Sequence, residues 1–253
     1  MRSVVRIPAI VLFYGVLAAC TAYIPEPAPA VTPVETLQPS PSPSPTPTPI
    51  PVSAFIPNAD VLFQTDFNGE EGLPETWSAS HTVFEDSTAT INANPDWQGI
   101  YTPYQWASGE TLLWRFSYAE GSQANISVSA GEWETASFRQ WGIQNDFGQI
   151  TPQFWEGERY LLLGWQEGYV RLEPDHWYVL MIHIGSPDEP FVIRIWDEEA
   201  PEAVMETRQT FSDPGWDDLR WNASATNGPT GTLEISHFEA IQDLSEFSVE
   251  GEP

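Results

Sequence analysis

The sequence contains no lysine: all nine of its basic residues are arginine, set against 36 Asp and Glu, for a formal net charge of −27. A field of that sign repels phosphate backbones and anionic headgroups, which excludes nucleic acid as a partner. There is a single cysteine, Cys20, so no internal disulfide can form and any folded part must stand on its core. Long helical periodicity is also missing; the nearest approach, Glu198–Thr207, is interrupted by Pro201. The four histidines, His81, His176, His183 and His237, show no zinc-ligand spacing, and no glycine-rich loop follows a strand and opens a helix. Asp66-Phe-Asn68-Gly-Glu70 opens like a calcium loop, but Glu71 stands where its glycine belongs and Trp77 where its last carboxylate belongs. No cofactor is expected, and a structural calcium has no assignable place.

What is present begins with Arg2 and Arg6, an apolar run from Ile7 to Val16, and then Leu17-Ala18-Ala19-Cys20. A charged start, a short apolar stretch and small residues before a cleavage point make a secretory signal. The run is shorter than the roughly 20 apolar residues that cross a bilayer. Its ending resembles the lipobox of bacterial lipoprotein signal peptides, which implies cleavage before Cys20 and a diacylglyceryl group on its sulfur. The expected order is therefore a signal peptide over 1–19, then lipidated Cys20 and a linker over 20–55. The linker carries the alternating run Pro39-Ser-Pro-Ser-Pro-Ser-Pro-Thr-Pro-Thr-Pro-Ile-Pro51. Such a run favours extended polyproline II, at ~3.1 Å per residue, and has nothing to bury, so it reads as disordered. Membrane lipid, held through Cys20, is the first expected partner, and the expected location is the extracytoplasmic cell surface.

Residues 56–243 read as one domain, followed by an acidic tail over 244–253 with Glu246, Glu250 and Glu252. Period-two alternation dominates the domain. Leu112, Trp114, Phe116 and Tyr118 alternate with Leu113, Arg115 and Ser117; Tyr178, Leu180, Ile182 and Ile184 alternate with Val179, Met181 and His183; Phe191, Ile193 and Ile195 alternate with Val192, Arg194 and Trp196. Alternation this rich in β-branched and aromatic residues predicts half-buried strands. Further strands are expected at Val61–Phe67, Ala89–Ala93, Ile126–Ala130, Ser137–Ile143, Tyr160–Trp165, Val204–Thr210, Leu219–Ala223 and Thr232–Ile241. Turn clusters fall between them, as at Gly185-Ser-Pro-Asp188 and Asn227-Gly-Pro229. The fold class is all-β: a two-sheet antiparallel jelly-roll β-sandwich.

The opening Val61-Leu-Phe-Gln-Thr-Asp-Phe-Asn-Gly69, the strand Leu112-Leu-Trp-Arg-Phe-Ser-Tyr118, the hairpin Tyr178-Val-Leu-Met-Ile182 to Phe191-Val-Ile-Arg-Ile-Trp-Asp197 and the closing Gly231-Thr-Leu-Glu-Ile-Ser-His-Phe238 carry a likeness. In strand order and texture the domain resembles the concanavalin A-like lectin/glucanase superfamily, of the LamG-like jelly-roll kind. The resemblance implies neighbouring first and last strands and a concave face as the usual ligand site. It also implies glycan binding, glycan cleavage or a role as an interaction module, and the fold does not choose among them.

For cleavage, the resemblance implies the pattern of family-16-type glycosidases, Glu-x-Asp-x-Glu or Glu-x-Asp-x-x-Glu on one strand; glycoside hydrolysis needs such a carboxylate pair roughly 5–10 Å apart. That motif is missing. Glu132-Trp-Glu134 and Glu156-Gly-Glu158 read as turns, Glu173-Pro-Asp175 is broken by proline, and Asp197-Glu-Glu199 ends a strand. All twelve tryptophans lie in the domain. Trp114 and Trp177 sit beside apolar alternations and read as core. Arg194 with Trp196, and Arg139 with Trp141, place a guanidinium and an indole on one strand face; Arg171 lies near Trp165 and Tyr169. Aromatic faces suit sugar C–H surfaces, and arginine suits hydroxyls. The same residues also fit arginine stacked on tryptophan or paired with a carboxylate. The ligand candidates are thus Arg139, Trp141, Trp165, Arg171, Arg194 and Trp196. The leading function is a non-catalytic carbohydrate-binding or surface-interaction module, whose further partner is a polysaccharide or a surface protein. A structural or protein-binding module stands second, and a glycoside hydrolase third.

Overall fold

A computed structural model describes residues 60–67, 73, 77–102, 105–165, 170–186, 189–210 and 219–242. The expected signal peptide, Cys20, the linker, the tail and Tyr169 lie outside the described residues.

Among the described residues every regular element is a strand: β1 Asp60–Thr65, β2 Ser78–Ala79, β3 Thr82–Glu85, β4 Thr88–Asn92, β5 Gly99–Tyr101, β6 Glu110–Tyr118, β7 Gln123–Ala130, β8 Arg139–Asp146, β9 Gln149–Glu156, β10 Arg159–Leu162, β11 Val170–Arg171, β12 Tyr178–His183, β13 Phe191–Asp197, β14 Ala200–Gln209, β15 Asn222–Asn227 and β16 Thr232–Gln242. They form two eight-stranded sheets, with antiparallel pairing throughout. The first runs β14-β13-β12-β6-β16-β4-β3, with β1 on β16; the second runs β10-β9-β8-β7-β15-β5-β2, with β11 on β9. This is the jelly-roll sandwich expected from the alternation, and its first and last strands pair as the resemblance implies.

The core lies between the sheets. From the first sheet Trp114, Phe116, Leu180, Ile182, Phe191, Ile193 and Phe238 point inward; from the second come Ile126, Val128, Trp141, Ile143, Phe154 and Trp221. Rings meet across the gap, where Trp141 lies 6.4 Å and Trp221 5.1 Å from Phe191; within the first sheet Trp114 lies 4.4 Å from its cross-strand partner Phe238. Ala124, Ala130, Ala223 and Ala225 on the second sheet are buried among them. Small side chains opposite large ones let such layers interdigitate.

The short strands β2, β3, β5 and β11 form where none was expected, and three further departures have a local cause. No strand was expected over Gln149–Glu156, where Pro152 breaks the pattern, yet β9 sits deep in the second sheet. Its Pro152 carbonyl accepts a hydrogen bond from Leu163 N, on the side away from β8. The missing N–H therefore faces the place where β9 changes partner, between β11 at Gln149–Ile150 and β10 at Gln153–Glu156, and the β8 ladder loses nothing. The strand expected at Leu219–Ala223 begins instead at Asn222. Pro201, which interrupts the nearest helical window, lies in β14 at the sheet edge, where a proline is tolerated.

Candidate functional site

Cross-strand partners in an antiparallel sheet share a face, so the register of the second sheet maps its outer surface row by row. One row runs Tyr101, Ser224, Ser127, Gly142, Gln153, Leu162; the next Asn222, Ser129, Gln140, Trp155, Tyr160. On the other side lie Gly99, Thr226, Asn125, Gln144, Thr151 and then Gln123, Asp146, Gln149, Arg171. The face is built of amides and hydroxyls. Its centre is recessed: Ser127 is 1% and Gln153 4% exposed although both point away from the core. Exposure rises to 39% at Tyr101 on one margin and to 38% at Tyr160 on the other. The face is therefore a polar trough between aromatic margins.

Its floor is wired in one direction. Gln140 Nε2 donates to Ser127 Oγ at 2.8 Å, Ser127 Oγ to Asn125 Oδ1 at 2.8 Å, and Asn125 Nδ2 to Gln153 Oε1 at 2.9 Å. Gln153 Nε2 then donates to Gln144 Oε1, and Gln144 Nε2 to Asp146 Oδ2 at 2.7 Å. Chained bonds that end on a carboxylate polarise one another and lock the side-chain rotamers. Each primary amide has two N–H groups and a carbonyl with two lone pairs, so the floor keeps donors and acceptors for a ligand. Burial, and then the Asp146 carboxylate, raises the Tyr160 phenol above its usual range. Burial raises Tyr101 as well, so both marginal phenols remain protonated donors at neutral pH. Among the described strand positions of this face, Asp146 is the one carboxylate. No group of three His, Cys, Asp or Glu placed to hold a metal occurs among the described residues.

The candidates from sequence fall in three separate places. Arg171 belongs to the trough, opposite Gln149 at one end. Arg139 and Trp141 point inward from β8. Trp141 is wholly buried, and the Arg139 guanidinium donates to the carbonyls of Ala136 and Phe138. Trp165 is core too, its indole N–H donating to Ile150 O at 3.0 Å. Arg194 and Trp196 lie on the outer face of the other sheet, within a buried patch of Leu113, Val179, Met181, Val192 and Ile241. The Arg194 guanidinium is bound to Glu206, its cross-strand partner. These inward and opposite-face positions do not assemble with Arg171 into one site. Trp177 is not core either: Arg115 sits 4.0 Å over its ring and makes a two-pronged pair with Glu198. The trough residues do not stand out in the sequence, because glutamine, asparagine and serine carry no motif. Their signal was the polar half of each alternation, Gln123-x-Asn125-x-Ser127 and Gln140-x-Gly142-x-Gln144-x-Asp146.

No family model and no curated protein matches this chain. Solved structures do share its fold. An endo-acting O-glycanase with which members of the human gut microbiota initiate mucin breakdown aligns at a TM-score of 0.55, with 11% identity over 73% of this chain and 100% of the other. An immunostimulatory antigen and pseudo beta-1,3-glucanase of Mycobacterium tuberculosis aligns at 0.52, with 11% identity over 72% of this chain and 99% of the other. The exoplasmic/lumenal domain of VIP36, in a Ca2+/Man3GlcNAc-bound form, aligns at 0.52, with 11% identity, 74% and 89% of the two chains being covered. Likeness at this identity shows the fold alone, a two-sheet jelly roll.

Proposed function

We propose that this chain is a membrane-anchored extracytoplasmic lipoprotein whose sandwich binds carbohydrate along the outer trough of its second sheet without cleaving it. The observation that carries this reading is the composition of the trough: a hydrogen-bonded amide and hydroxyl floor, exposed aromatic margins, and Asp146 as the one described strand carboxylate. Glycoside hydrolysis needs two carboxyl groups about the scissile bond. A floor of amides instead offers neutral donors and acceptors to sugar hydroxyls, and tyrosine and tryptophan rings suit their C–H faces. Proteins of the same fold that act on mucin O-glycans or hold a mannose oligosaccharide lend this reading support. The anchor rests on residues 1–20: Cys20→Ser should abolish lipid labelling and release the chain from membranes, and undiminished retention would overturn that part.

The test of the site is a glycan array and a polysaccharide panel probed with the full chain purified in mild detergent. Binding should appear, and Gln153→Ala or Tyr160→Ala should weaken it about tenfold, the worth of one or two lost hydrogen bonds or a stacking contact. Release of reducing sugar would overturn the non-catalytic reading and favour a glycoside hydrolase. Silence across the panel would favour a structural or protein-binding module.

A further inference from the structure

Beside the trough, the loop from Gly131 to Phe138 and the β9–β10 turn enclose a pocket of about 220 Å³ lined by Trp133, Glu134, Phe138, Trp155, Gly157 and Glu158. Three rings form its walls and no two are parallel. Trp133 meets Phe138 at 4.8 Å and 79°, Trp133 meets Trp155 at 5.4 Å and 57°, and Phe138 meets Trp155 at 6.4 Å and 69°. Tyr160 packs on Trp155 at 4.3 Å and fixes that ring. The loop is held shut by Gly157 N donating to Phe138 O at 2.7 Å and by the Thr135 hydroxyl on Glu132 O at 2.6 Å. Gly131, at φ 81°, brings its α-carbon so close to Ser137 O that an added Cβ would lie 2.3 Å from it. Trp133 is nonetheless 56% exposed, an unusual amount of indole to leave in water on a built loop.

We infer that this pocket binds an organic ammonium group of about trimethylammonium size. The rings brace one another edge-to-face and leave the Trp133 indole open to a guest, and the negative face of an indole attracts a cation. Glu134 and Glu158 add two carboxylates at the rim, and the net charge of −27 raises the local concentration of cations. The volume decides against a larger guest, since whole small-molecule sites occupy roughly 300–1,000 Å³. The pocket shares the Trp155 ring with the trough margin, while Trp133, Phe138 and both carboxylates are its own, so it does not depend on the glycan reading.

The test is a calorimetric and tryptophan-fluorescence titration of the full chain, in detergent, with choline chloride, with its neutral isostere 3,3-dimethyl-1-butanol, and with sodium chloride as the ionic control. Choline should bind saturably and at least about tenfold more tightly than the alcohol, within the range a desolvated cation–π contact supplies. Trp133→Ala, an exposed position, should lose most of that binding with the near-ultraviolet dichroism otherwise retained. Glu134→Gln with Glu158→Gln should weaken it several-fold at low salt. Gln153→Ala, in the trough, should leave choline binding unchanged, which separates a failure here from a failure of the glycan reading. Equal binding of choline and the alcohol, full binding by the Trp133→Ala chain, or no saturable choline signal would each overturn the inference.

Discussion

Arg115 shows how the cations of this acidic chain are used. Its guanidinium lies on the Trp177 ring, grips both oxygens of Glu198 and donates to Ser236 Oγ at 2.6 Å. Ser236 sits at the bulge in β16 that lets His237 face Arg115. His237 is itself held between Asp66 and Glu239, with Nδ1 on the first and Nε2 at 3.1 Å from the second. Burial alone would lower its pKa, but the hydrogen bonds to Glu239 and Asp66 outweigh it and raise the group above its ordinary 6.5. A histidine raised in the folded state adds stability that is full below about pH 6.5 and is lost as pH climbs through the folded value. His237→Gln should therefore cost more stability near pH 5.5 than near pH 9, read as the shift in urea midpoint at the two pH values. An equal cost at both would show that the imidazolium is not what Asp66 and Glu239 hold.

At the scale of the element, the close approach of β7 and β8 is what makes the floor continuous. Gly142 lies opposite Ser127, and an added Cβ would come 2.3 Å from the Ser127 Cβ and 2.4 Å from Ile126 O. Backbone cannot yield as a side-chain tip can, so Gly142→Ala should destabilise by roughly 1–3 kcal/mol and lower Tm, measured by thermal melting. Glycan binding should fall in the same variant, because the Ser127–Asn125–Gln153 relay crosses that junction. The strands themselves were largely legible, since Leu112–Tyr118, Tyr178–His183 and Phe191–Asp197 announce their inner faces by apolar alternation. β9 was not, because Pro152 signals a break unless one knows that its imide falls where the strand exchanges one partner for another. The site was less legible than the fold. Arg194 and Trp196 share a strand face, as alternation requires, but only the sheet order tells which of four sheet surfaces that face is. The amides of the trough acquire meaning through registry between β7, β8 and β9, which no single strand contains.

Across the whole molecule, charge and ligand chemistry separate. A neutral glycan on an amide floor gains little from the net charge of −27, whereas an ammonium group in the Trp133 pocket gains directly. Raising ionic strength from about 10 mM to about 150 mM shortens the Debye length from ~30 Å to ~8 Å. Glycan affinity should stay within about twofold over that range while choline affinity falls several-fold, both followed in one set of titrations. A parallel fall in the two would mean that the trough, too, selects for positive charge. The pairing of β1 with β16 bears on how such a body carries a load. Asp60, which opens the first strand in chain order, and Gln242, which closes the last, are cross-strand partners. Tension applied between them enters and leaves at one point and opens the β1–β16 ladder one rung at a time, like a zip. The trough lies on the opposite sheet and carries none of that strain, so a bound ligand need not feel the chain being pulled until the zip has run.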